Sequence, residues 1–308
     1  MYPYFKADMD KGVYTEETAL SLLEDFFISF NKDSDLYVGV QQGDNGQSMV
    51  LGGIDENGND VFNDLSKLCL MASRDLKLID PKINLRVSKK TPMEQYLLGT
   101  ELTKAGLGFP QYSNDDVVIE GLMKKGYDPK DAANYAVAAC WEFIIPGVGF
   151  DVANIGAMSY PKAVDRMLHS EFTSCKTFDE VLAAVNKEIV AECDSIRANI
   201  HDLWFVPSPF MSVMLDEIKY RNFGFHGTGI ATAADSLAAI HKYVFDEKYI
   251  TAEELVKAVD DNFEHYPDLL YKLRNEAPKM GNDDDYVDGI SVKLLDMFSA
   301  ALDGKVNC

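Results

Sequence analysis

The most reactive side chains in this 308-residue sequence lie in the stretch Ala138-Ala139-Cys140-Trp141-Glu142-Phe143-Ile144-Ile145-Pro146-Gly147. A thiol and a carboxyl stand two positions apart in an otherwise apolar run. In an extended chain, residues two apart face the same side, so Cys140 and Glu142 would address one space. A carboxyl in apolar surroundings holds its proton more tightly and can exchange it near neutral pH. A thiol beside it can serve as nucleophile or as hydrogen-atom donor. Cysteine hydrolysis needs a histidine base and a group to orient it. The nearest histidine in sequence, His169, lies inside a helical pattern, which gives hydrolysis little support. The structural alternative is a core cysteine beside a salt-bridged glutamate.

Three further segments are not explained by packing alone. In Leu107-Gly108-Phe109-Pro110-Gln111-Tyr112-Ser113-Asn114-Asp115-Asp116, a Gly-Phe-Pro turn leads into an asparagine and two carboxylates. Asp115 and Asp116 could hydrogen-bond a polar substrate or hold a neighbouring loop; the competing reading is a helix cap, a role that suits Asn and Asp. The Gly-rich stretch from Val40 to Gly53 could wrap a site, or form a surface hairpin. It contains neither GxxxxGK[ST] nor GxGxxG, so it is no phosphate loop. From Phe223 to Ile240, a Gly-rich turn feeds an Ala-rich helix. Asp235 in that helix is costly unless paired, and His226 is either a ligand or acid, or a loop histidine satisfied by backbone.

Helices dominate the elements that must position these groups. Thr15 caps a helix from Ala19 to Phe30, with Glu16 and Glu17 in its first turn. Thr91-Pro92-Met93-Glu94 reads as a capping box opening a helix to about Gly106. Asp128-Pro129 starts a short helix by the same logic. Helical patterns continue through Pro161–His169, Phe178–Ile200, Ala231–Phe245 and Thr251–Leu273. Leu36–Val40, Ile83–Val87 and Val137–Ile145 read as short strands. Short apolar strands among long helices predict an α/β fold with a buried parallel sheet. No internal repeat or linker-like composition appears, so residues 1–308 are read as one domain.

Acidic residues number 50 against 29 basic ones, a net charge of -21. That balance argues against nucleic acid and against an anionic membrane surface. The five cysteines form no CxxC pair, and the histidines are too scattered for a zinc signature. No apolar leader or membrane-length run is present, which predicts a reducing cytoplasm. The acidic run at 283–285 lacks calcium-loop spacing.

Taken in order, these segments resemble the glycyl radical enzyme family, the pyruvate formate-lyase superfamily. The resemblance runs from Leu51-Gly52-Gly53, Asp60 and Asn63-Asp64-Leu65-Ser66 through Ile83-Asn84-Leu85-Arg86-Val87 and Thr91-Pro92. It continues with Phe109-Pro110 and Asn114-Asp115-Asp116, then Cys140-Trp141-Glu142 at the family's Cys-x-Glu position. Pro161-Lys162-Ala163, Ala234 to Ile240 and Asn282 to Asp288 complete it. The resemblance implies a helix-rich part of a ten-stranded β/α barrel with the cysteine loop threaded into its centre. It implies that Cys140 becomes a thiyl radical and that Glu142 is its acid/base partner, with Phe109, Asp115, Asp116 and Trp141 at a small polar organic substrate. No cofactor would be bound directly; a glycyl radical from a segment outside this sequence, installed by a radical S-adenosylmethionine activase, would start the reaction.

Three departures refine that expectation. Ala139 stands where pyruvate formate-lyase proper has the first cysteine of a pair. This favours a lyase or dehydratase over formate C-acetyltransferase. Trp141 is bulkier than the small aliphatic residue usual between Cys and Glu. The C-terminal Arg-Val-x-Gly-Tyr-like loop and the long N-terminal part of a typical member are missing. The sequence is therefore expected to be a fragment, one half of a split enzyme, or a relic. Its partners would be an activase and a complementary chain or second copy, and the alternative is a non-catalytic binding or assembly subunit.

Overall fold

The computed structural model describes residues 1–31, 46–138, 142–200 and 219–305. Two stretches of chain make up each of two compact units, residues 1–151 with 208–221 and residues 152–207 with 222–308. No shift in composition marks this division. The expected strand Leu36–Val40 lies outside the described residues.

The first unit is built on three parallel strands in the order β1-β2-β3: β1 (Ser48–Gly52), β2 (Lys82–Val87) and β3 (Gln111–Asn114). Helix α3 (Asp64–Leu76) connects the first pair and α4 (Met93–Lys104) the second; α1 (Tyr2–Asp10) and α2 (Glu16–Ser29) precede them. Alternate β2 residues Ile83, Leu85 and Val87 share a core with Phe27, Leu70 and Leu102 of these helices. Strand alternation sends Asn84 and Arg86 to the opposite face, in register with Gln111 and Ser113.

Local chemistry explains most boundaries. Thr15 caps α2, its hydroxyl accepting from the Thr18 amide at 3.2 Å while the Thr18 hydroxyl accepts from the Thr15 amide at 2.8 Å. Asp128 caps α6 (Pro129–Ala133) in the same way, through the Lys130 amide at 3.0 Å. The capping box expected at Thr91 does not form. Its hydroxyl accepts from the Ser88 amide at 2.9 Å, closing the preceding turn, and Pro92 takes the cap position.

The expected strand Val137–Ile145 is instead two short antiparallel strands, β4 (Ala136–Ala138) and β5 (Glu142–Ile144), with Ala138 opposite Glu142. Between β3 and β4 runs α5 (Asp115–Lys124).

The second unit is mainly helical. Its core joins α7 (Tyr160–Ser170), α8 (Phe178–Ala198), α9 (Ile230–Ile240) and α12 (Asp285–Leu302). The Gly-rich segment after Phe223, expected as a turn, is part of strand β7 (Tyr220–Thr228), which is hydrogen-bonded to β6 (Gly149–Ser159). Glycine there serves close packing: a Cβ on Gly227 would sit 2.7 Å from the Tyr160 ring. The helical pattern of Thr251–Leu273 also breaks. Helix α10 (Ala252–Asp260) gives way to Asn262 and Phe263 in left-handed conformation, φ 49° and 60°, before α11 (Pro267–Asn275). Pro267 suits a first turn but cannot continue a helix from before it. No helix among the described residues is long and apolar enough to cross a membrane.

Asp235 on α9 is paired, accepting the Met280 amide at 2.8 Å. Asp235→Ala should leave that amide unpaired and lower stability by about 1 kcal/mol, read as a lower urea midpoint at constant slope. His169, in the last turn of α7, is hydrogen-bonded through Nε2 to Asp260 at 2.8 Å and through Nδ1 to the Asp165 carbonyl at 2.7 Å. These partners, Asp260 first, raise its pKa above the ordinary histidine value. A raised folded-state value contributes stability below the unfolded pKa and loses it as pH rises through the folded one. The pair is exposed, so the contribution is below about 1 kcal/mol. Between roughly pH 6 and 8, wild type should lose slightly more stability than His169→Gln; parallel melting profiles would rule the contribution out.

Candidate active site

The β4–β5 hairpin carries the candidate acid/base. Glu142 opens β5 and is half-buried; Cys140 and Trp141, with Ala139, lie outside the described residues. A small apolar core supports the hairpin: Tyr135, Val137 and Ile145 pack with Val50 of β1 and with Val118, Ile119 and Leu122 of α5. The Tyr135 ring also meets Phe143 edge-on, with centroids 5.5 Å apart.

Beneath the hairpin lies a buried ion pair. Arg86 is 7% exposed and Asp115 0%. The guanidinium grips the carboxylate through Nε at 2.9 Å and Nη2 at 3.0 Å. This is the planar fork geometry that favours arginine over lysine. Nη1 donates to the Tyr135 carbonyl at 3.1 Å, and Nη2 reaches the carbonyls of Ala133 at 2.9 Å and Ile54 at 3.3 Å. Asp115 also accepts from the Tyr135 hydroxyl at 2.6 Å and the Ile54 amide at 2.7 Å. The guanidinium carbon stands 4.0 Å from the centroid of the Tyr135 ring, a cation–π contact. Burial first, then the Asp115 carboxylate, pushes the Tyr135 phenol well above its ordinary pKa. The phenol is therefore a donor to the carboxylate.

Local sequence makes this arrangement possible. Gly53, at φ +93°, leaves room for the arginine, since a Cβ there would lie 2.6 Å from Arg86 Nε. The described end of the Gly-rich stretch thus forms β1 and clears space beside β2.

The two aspartates expected at the substrate therefore stand in different surroundings. Asp115 directs its carboxylate to four donors of the protein itself. Asp116 is half-buried and accepts from the Lys89 amide at 2.8 Å. Asn114 caps α5, its side chain accepting from the Asp116 amide at 3.0 Å. Phe109 is half-buried just ahead of β3. Sequence reasoning passed over Arg86 as a site residue, although a charge amid Ile83, Leu85 and Val87 must be paired if buried.

The described thiols are not activated nucleophiles. Burial pushes Cys69 up to about 12 and Cys193 up to about 11, and raises Cys175 too. A thiolate, not a thiol, is the nucleophile in cysteine hydrolysis. His169 is engaged with Asp165 and Asp260.

Comparison with known proteins places these features in a family. A model described as pyruvate formate lyase-like matches residues 1–307. A (2S)-3-sulfopropanediol dehydratase of Klebsiella oxytoca is 30% identical over 99% of the chain and 42% of its own length. The hydroxyproline dehydratase of Clostridioides difficile, solved with trans-4-hydroxy-L-proline bound, superposes with a TM-score of 0.80 at 26% identity, covering 99% of this chain and 43% of that one. The B12-independent glycerol dehydratase of Clostridium butyricum, solved with glycerol bound, gives 0.78 at 27% identity, covering 96% and 42%. The chain thus spans less than half the length of these relatives. Its helix-rich α/β fold is of the glycyl radical enzyme type, and the chain belongs to the pyruvate formate lyase-like family.

Proposed function

We propose that this chain is the cysteine-bearing part of a glycyl radical lyase or dehydratase acting on a small hydroxylated molecule. The observation that carries this reading is the pairing of β4 with β5, which sets Glu142, two residues after Cys140 in sequence, opposite Ala138 on strands that adjoin a fully paired Arg86–Asp115–Tyr135 cluster. The dehydratases similar to this chain, named for a sulfopropanediol, glycerol and hydroxyproline, support the substrate class.

A glycyl radical installed by a radical S-adenosylmethionine activase would supply the unpaired electron. In this reading, the Cys140 sulfur takes a hydrogen atom from a substrate carbon: the C–H bond breaks and an S–H bond forms. Glu142, half-buried, accepts the proton of a neighbouring hydroxyl or delivers one to the departing water. General acid–base help of this kind is worth about 10²–10⁴ in rate. Trp141, Phe109 and Asp116 would border the substrate, and Asp115 would hold the framework beneath them. The single cysteine, with Ala139 before it, favours elimination over acetyl transfer.

Assembly with a complementary chain supplying the radical loop is part of the proposal. Met93 and Leu97 on α4 and Val117 on α5 are 60% or more exposed, and exposed apolar side chains of this kind favour association.

The test is anaerobic turnover by the chain co-expressed with the activase and complementary chain of its own locus, offered hydroxylated three-carbon substrates and hydroxyproline. Cys140→Ala should abolish water elimination, and Glu142→Gln should slow it by about 10²–10⁴. Unimpaired turnover by Cys140→Ala would sink the reading.

A further inference from the structure

We infer that Asn84 and Gln111 form a buried acceptor site for one small neutral guest with two O–H donors, shared between neighbouring strands of the first unit. Asn84 of β2 and Gln111 of β3 are register partners, so their side chains leave the same face of the sheet from backbones about 4.8 Å apart. Asn84 is 0% exposed. Its Oδ1 and the Oε1 of Gln111 are both buried, and neither accepts a hydrogen bond among the described residues. The Asn84 amide nitrogen donates to the Lys82 carbonyl at 3.4 Å, which settles which end of the side chain is the oxygen. On its other side Asn84 is in register with Val50 of β1, and Val50 packs with Tyr135, Val137 and Ile145. The row Val50–Asn84–Gln111 thus starts in the apolar core of the hairpin.

Buried carbonyl oxygens in folded proteins are met by a donor, whether protein or ordered water. One left unmet forfeits the bond that solvent gave it in the unfolded chain. Two such oxygens side by side, one from each strand, suit a guest with an O–H for each: a water molecule, or adjacent hydroxyls of a small polyol. The surrounding charges select a neutral guest. Lys82 and Arg86 flank Asn84 on the same face, each about 6.6 Å away along the strand. Both are already paired, Lys82 with Asp80 at 3.0 Å and Arg86 with Asp115 at 2.9 Å. A further cation would meet two positive groups, and an anion would face two carbonyl oxygens. The full burial of Asn84 restricts the guest to a small one.

The experiment compares urea unfolding of the full chain in wild type, Gln111→Met, Asn84→Leu and the double variant. Each replacement keeps the approximate size of the side chain and removes its oxygen. If the oxygens lacked a donor, removing them would leave stability unchanged or raise it. With a shared guest, each single variant is expected to raise the unfolding constant about fivefold, the typical contribution of one hydrogen bond. The double variant is expected to lose less than the two effects combined, since both oxygens hold the same molecule. Gln111→Met as stable as wild type, or more so, would overturn the inference, and so would two independent losses that simply multiply. If Asn84→Leu fails to fold, Gln111→Met decides alone by the sign of its effect. Repeating the series in millimolar glycerol separates the two sources of the donor. A gain in wild-type stability that Gln111→Met abolishes identifies a pair of polyol hydroxyls, and no gain identifies water. Turnover plays no part in this readout, so failure of the radical reading and failure of this site are separate results.

Discussion

A buried arginine sets the terms for the first unit. Removing a guanidinium and a carboxylate from water costs several kcal/mol each, and the loss is recovered only if every donor and acceptor finds a partner in good geometry. Arg86 and Asp115 meet that condition by recruiting backbone from three places: Ile54 after β1, and Ala133 and Tyr135 before β4. The requirement ties together segments far apart in sequence. It also explains a glycine at position 53, where any Cβ would occupy the arginine's space. The parallel sheet consequently has two unlike faces. One is an ordinary apolar face packed on helices; the other carries a polar cluster in place of the Val, Ile and Leu usual in buried parallel strands.

That asymmetry gives the β4–β5 hairpin directed as well as apolar support. Were the hairpin held by apolar contacts alone, many arrangements of similar packing would compete, because apolar contacts are non-directional. Directed hydrogen bonds select among them. The small core of Tyr135, Val137 and Ile145 contributes burial, and the Arg86 fork contributes orientation.

Much of this was legible in the sequence, and the failures have physical causes. Caps at Thr15 and Asp128 were readable because each depends on a neighbour within three residues. Thr91 was misread because a turn competes for its hydroxyl, and Ser88 wins. Val137–Ile145 read as one strand because an apolar run does not announce a reversal. Phe223 to Gly229 read as a turn because glycine's freedom is visible in sequence, whereas its smallness matters only against Tyr160 and Pro161. The Cys140-x-Glu142 pair and the order of the motifs around it were enough for the family, which the match over residues 1–307 bears out. The surroundings of Asp115 were not legible, since its partners lie 20, 29 and 61 residues away.

The choice between hydrolysis and radical chemistry then turns on protonation. A nucleophilic cysteine needs something to draw off its proton: a histidine, a cation or a helix N-terminus. The described thiols show the opposite influence, with burial raising Cys69 and Cys193. Apolar burial disfavours the thiolate but leaves the S–H bond intact for exchange of a hydrogen atom, which moves no net charge and needs no solvating water. Under the proposed function, a Cys-x-Glu pair without a neighbouring histidine in sequence would lack the base that acyl transfer needs, whereas hydrogen-atom abstraction would not require it.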